Sequence, residues 1–91
     1  MPKKKFVVIE MPLPDGWMSM YIGQLVKRTE FDIILKDPCF VKDTGRRGLF
    51  FAGTPDRNAE WEPSGTRAAF PAAHMVVTDW PHSFEPFRVS R

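Results

Sequence analysis

The sequence predicts an all-β fold, a small barrel of about five strands followed by a short C-terminal turn or 3-10 segment. Three observations point there. Apolar residues recur in short runs at period two. No segment keeps a 3.6-residue apolar stripe long enough for an amphipathic helix. Nine Pro and six Gly punctuate the 91 residues, so each run is cut off after a few positions. Closing such short strands into a barrel protects their edges. A chain of 91 residues has interior for one core, and its eight Phe and three Trp supply the apolar mass. The expected organisation is a basic flank over residues 1–5, one β-barrel domain over 6–80 and an aromatic and basic tail over 81–91.

Phe6, Val7, Val8 and Ile9 begin the first strand. Lys3, Lys4 and Lys5 precede it, but Glu10, Pro12 and Pro14 make the apolar stretch too short for the core of a secretory signal. Pro12, Pro14, Asp15 and Gly16 then form a loop. From Ser19 to Arg28 both parities are largely apolar, which fits a strand covered on both sides. Thr29 and Glu30 separate this run from Phe31, Ile33 and Leu35, and the pair of runs reads as a hairpin. Asp37 and Pro38 are expected to end the third strand, because Pro has no N–H for a ladder. Cys39, Phe40 and Val41 resume a short run. Residues 43–48 form a turn by composition, and Leu49, Phe50 and Phe51 read as another short strand. Residues 54–66 have no period and are expected to be the long loop of the protein. A last strand runs near Met75 to Thr78. Phe84 and Phe87 follow Trp80 at helical spacing, for one turn that Pro86 keeps short.

Tyr21 to Val41 resembles the first motif of Sm-like proteins, in which apolar-x-Gly-x-Leu opens a bent strand and a following strand ends in apolar-x-Leu-x-Asp. Gly23, Leu25, Ile33, Leu35 and Asp37 occupy the matching positions. The segment is also similar to small phage and prophage proteins with an SH3-like barrel pattern. The resemblance implies an SH3-like/Sm-like barrel and a phage-derived origin. Rings and RNA binding come with it by analogy only. A glycine inside a strand permits the sharp bend such a barrel needs.

The chain carries thirteen Lys and Arg against eleven Asp and Glu, for a net charge of +2. Lys3, Lys4, Lys5, Arg88 and Arg91 lie near the ends, leaving eight cations against eleven acids, or −3, between residues 6 and 87. A uniformly cationic surface for nucleic acid is therefore disfavoured, and any anion site must be local. One cysteine, Cys39, excludes an internal disulfide and fits a reducing, cytoplasmic setting; no apolar run approaches the ~20 residues that span a bilayer.

Catalytic constellations are sparse. Cys39 has neither His74 nor His82 at a spacing that makes a base, and reads as a buried thiol. The two histidines and one cysteine form no zinc pattern, so no metal and no cofactor are expected. Glu60 and Glu62 flank Trp61 and read either as a paired-acid site or, more commonly, as solvated loop acids. No glycine-rich nucleotide cradle occurs. Arg46 and Arg47, set between Gly45 and Gly48, read either as an exposed turn kept soluble by charge or as an anion site, which Lys42 and Arg67 would enlarge if the fold brought them close. Trp17 and Trp61 fall in expected loops, as caps on the barrel ends or as contact residues. Trp80, Phe84 and Phe87 seal the barrel or a subunit interface.

These readings define a non-enzymatic, self-associating binding module. Its partner is a protein or an anionic ligand (RNA, DNA or a nucleotide), met through loops 43–48 and 54–65 by Lys42, Arg46, Arg47, Trp61 and Arg67. No membrane partner is expected. The alternatives are a structural or virion-associated assembly protein and, behind it, a small hydrolase.

Overall fold

The alternating apolar runs become long antiparallel strands, and their register decides which side chains meet. The computed structural model describes residues 4–91, so residues 1–3 of the basic flank lie outside the described residues. Strand β1 (Phe6–Pro12) pairs with β2 (Met18–Arg28), β2 with β3 (Asp32–Asp43), and β1 also with β6 (Val76–Asp79). The outer side of β3 is shared. Its second half pairs with β4 (Glu60–Pro63) and its first half with β5 (Arg67–Pro71).

The result is one six-stranded antiparallel sheet with the path β4-β3-β2-β1-β6 and β5 beside β3. The fold is therefore small and all-β, with six strands where about five were expected. The path is open, and no pairing among the described residues joins its two ends into a closed barrel.

Asp37 and Pro38 do not end a strand. Asp37 takes a positive φ of 52°, and the register slips where Gly23 faces this point, so the extra residues are absorbed as a bulge within one twelve-residue strand. The bulge tolerates the missing N–H of Pro38. Gly23 is needed for closeness, since a Cβ there would lie 3.1 Å from the Lys36 carbonyl oxygen and 3.3 Å from Leu35. The bend divides β2 and β3 into two halves whose pleats serve different cores.

One core lies on the face of Val8, Ile22 and Cys39, which are opposite one another in register and fully buried. It is covered by Phe50, Phe84 and Phe87. The other face carries Val7, Ile9, Ile33, Leu35 and Phe70. Two further expectations change here. Leu49–Phe51 belongs to a short helix, α1 (Arg47–Phe51), which turns Phe50 inward while Leu49 stays exposed. The expected 54–66 loop contains β4, whose alternation buries Trp61 and leaves Glu60 and Glu62 in solvent.

The 3-10 turn Glu85–Arg88 has Pro in its first positions, where a missing N–H costs nothing. It delivers Phe87 to the core, where the ring packs 4.6 Å from Trp61 and 5.4 Å from Trp80. Beyond it, Arg91 and Trp61 exchange backbone hydrogen bonds of 2.8 and 3.1 Å, which cover the outer edge of β4.

Candidate functional site

The charged turn and the first loop meet across a groove of about 350 Å³. Its floor is Met20 and Val41, directly opposite each other on β2 and β3 and both nearly buried. One lip is Trp17 with Met18; the other carries Lys42, Thr44 and Arg47. Trp17 is 73% exposed, an indole left in water beside an apolar floor. Its loop is nonetheless fixed. Leu13 N–H donates to the Trp17 carbonyl at 2.7 Å, and Trp17 N–H donates to Asp15 Oδ1 at 3.0 Å.

The opposite lip is also locked. Gly45 N–H donates to Asp43 Oδ1 at 2.8 Å, and Arg46 N–H donates to Asp56 Oδ2 at 3.0 Å. The Arg46 N–H first, and the Asn58 N–H second, hold the Asp56 carboxyl below the ordinary carboxylate range. Gly45 sits at φ 63°, and any Cβ there would collide with the Asp56 carboxylate. The turn 43–48 is thus clipped to residues 56–58.

Arg47 reaches inward from this turn. Its Nη2 donates to both carboxylate oxygens of Glu10, at 2.7 and 2.9 Å, and its guanidinium lies 4.6 Å over the Phe51 ring. Glu10 shares the pleat face of Met20 and is only 4% exposed, so Arg47 neutralises an acid placed at the end of the first core. Nη1 and Nε of Arg47 make no hydrogen bond among the described residues, and the residue lines the groove.

The five residues singled out from sequence do not form one cluster. Lys42 and Arg47 share the groove, although Lys42 also pairs with Glu62 at 3.3 Å. Arg46 is exposed and contributes its backbone to the clip. Trp61 is interior, 2% exposed, and its indole N–H is satisfied by the carbonyls of Pro86 and Val89 at 3.1 and 3.0 Å, so it offers no contact surface. Arg67 pairs in register with Lys36, six residues along β3 from Lys42, roughly 20 Å in an extended strand. Thr44 lies within the 43–48 loop expected from sequence, whereas sequence reasoning missed Met18 and Met20 as groove residues; only strand pairing, Met18 with Pro12 and Met20 with Val41, places them.

Burial pushes the Cys39 thiol up to about 12, with nearby Glu62 adding to the shift, which keeps it protonated at neutral pH. His82 Nε2 lies 2.9 Å from the Phe51 carbonyl and is structural. Among the described residues no helix is long and apolar enough to cross a membrane.

Fold and site together define a small all-β protein with an aromatic lip facing a cationic one. Comparison with protein-family models, curated proteins and solved structures returns no match for this chain.

Proposed function

We propose that the chain is a non-enzymatic binding module whose groove takes a protein segment carrying an apolar side chain next to a carboxylate. The observation that carries this is Trp17, exposed at 73% on a loop held by two hydrogen bonds and lining, with Arg47, a groove whose floor is Met20 and Val41. A groove of about 350 Å³ suits one or two side chains. An aromatic lip supplies contact area at low entropic cost, methionine adapts to the shape of the guest, and a positioned Arg adds carboxylate recognition.

Selection of displayed random peptides against the chain tests the proposal. Enriched peptides should pair an apolar residue with Asp or Glu, and binding should shift tryptophan emission. Trp61 and Trp80 are buried at 2% and 4%, so the change would belong to Trp17. Equal enrichment on a Trp17→Ala bait would defeat the reading.

The bend of β2 and β3 at Gly23 and Asp37–Pro38 supports an SH3-like small-barrel relationship as the finer description of the fold. Self-association, and with it an assembly role, is the second reading. It is favoured by β6, an edge strand of four residues whose Val76 is 53% exposed. Sedimentation showing only monomer at high concentration would remove it.

A further inference from the structure

Trp17 at 73% and Phe31 at 72% are the most exposed large apolar side chains among the described residues. They stand at opposite ends of one strand, Trp17 immediately before β2 and Phe31 three residues after it. Eleven residues separate the ends of β2, up to roughly 35 Å of extended chain. Both tips are held in place. Trp17 is tied to Leu13 and Asp15, and the Thr29 hydroxyl accepts from the N–H groups of Phe31 at 3.2 Å and Asp32 at 3.0 Å. Thr29 N–H closes the second tip by donating to the Asp32 carbonyl at 2.8 Å. The Phe31 ring therefore cannot fold back into the groove of its own chain.

The two ends also differ in charge. Glu30 and Asp32 flank Phe31 in the chain; both are exposed, and neither makes an ion pair among the described residues. Lys27 and Arg28 precede this tip but belong to the β2 ladder, opposite Ile34 and Ile33. At the other end, the segment from Lys42 to Arg47 on the groove lip carries three cations against one acid, Asp43. Arg46 makes no ion pair among the described residues. Lys42 pairs with Glu62 only across a half-exposed contact, which exchanges partners at little cost. An exposed ring set between two acids is the guest that an aromatic and cationic groove suits.

We propose that the guest of the groove is the β2–β3 tip of a second copy of this chain, with Phe31 seated against Trp17 and the tip acids drawn to the Lys42–Arg47 segment. This rests on the groove reading and names its partner. The ring pair supplies the buried contact, and the opposed charges set its orientation. Guest and groove are different surfaces, so the contact is heterologous and each copy both gives and takes. Assembly therefore runs head to tail and uses no strand edge of the sheet.

Sedimentation velocity of the full chain over a concentration series tests the proposal. The parent should grow beyond a dimer as concentration rises. Phe31→Ala keeps the groove and loses the guest, whereas Trp17→Ala keeps the guest and loses the lip; each alone should associate at least about tenfold more weakly. Mixed in equal amounts, the two variants should form a dimer and stop there, because only one productive junction exists between them. Glu30→Lys should weaken assembly at low salt and less so at high salt. Thermal melts establish that each variant is folded. A parent that stays monomeric, a mixture that stays monomeric, or any of the three variants assembling at parent strength overturns the assignment. If displayed peptides still require Trp17 in that event, the groove reading stands and its guest is another protein; if they do not, both fail. Undiminished assembly of Phe31→Ala would assign association to the β6 edge instead.

Discussion

Arg47 Nη2 sits 2.7 Å from Glu10 Oε1 and 2.9 Å from Oε2, joining a half-exposed helix residue to an acid that faces the first core. The Arg47 side chain is 59% exposed, so part of the attraction is screened, while the carboxylate beneath it would be stranded without a partner. Arg47→Ala should cost about 2 kcal/mol, between the surface and buried cases. Adding Glu10→Gln to that variant should recover much of the loss in urea denaturation. Additive losses would show that the two residues do not act as a pair.

Cys39 makes a prediction of opposite character. Its folded pKa is raised from an ordinary 9.0 to about 12, by burial first. A group raised in this way contributes stability that is fully present below its unfolded value and is lost as pH rises towards the folded one. Stability should therefore decline above pH 9.0, and Cys39→Ala should remove that part of the decline. In the native state the thiol should be silent to a chromogenic disulfide reagent at mildly alkaline pH and react on unfolding.

How far these features were legible in sequence depends on what fixes each one. The β2–β3 hairpin was readable because the apolar run from Ser19 to Arg28 and the period-two spacing of Phe31, Ile33 and Leu35 are local. Asp37–Pro38 misled because a bulge, set by the partner strand, absorbs a residue that ends a ladder elsewhere. Leu49-Phe50-Phe51 misled because three consecutive apolar residues have no period, and a five-residue helix is too short to show one. Trp17 and Trp61 are the same residue type in similar surroundings. Only long-range pairing of β4 with β3 puts one inside and leaves the other out. The groove was half visible, since Lys42 and Arg47 are near in sequence, but its apolar lip comes from the β1–β2 loop and the first residue of β2.

That contrast gives a third expectation. Trp61→Ala removes a buried indole together with its two hydrogen bonds and should cost about 3–5 kcal/mol. Trp17→Ala should change stability by less than about 0.5 kcal/mol, because its ring is already in solvent. Comparable losses in a thermal melt would mean that Trp17 packs on the domain in solution.

Asp56 links two loops and should do so in a pH-dependent manner. Its carboxyl is held below the ordinary 3.8, chiefly by the Arg46 N–H. The resulting stabilisation is present above that ordinary value and is lost as pH falls through the depressed one. Asp56→Ala should loosen the 43–48 turn near neutral pH, seen as faster amide exchange at Arg46. The difference in melting temperature between variant and parent should shrink on acidification below 3.8. A constant difference across the titration would assign the clip to something other than the ionised carboxylate.

The cross-strand pair of Lys36 and Arg67 leads to a prediction about stability. Lys36 and Arg67 stand opposite each other across β3 and β5, like charges that destabilise a sheet, and neither makes an ion pair among the described residues. Lys36→Glu replaces that repulsion with a cross-strand ion pair and should stabilise the fold by about 0.5 kcal/mol, roughly 3 °C in melting temperature for a domain this size. The gain should shrink in high salt, where the original repulsion is already screened. If Lys36→Glu is neutral or destabilising at low salt, the two side chains are splayed apart and do not interact.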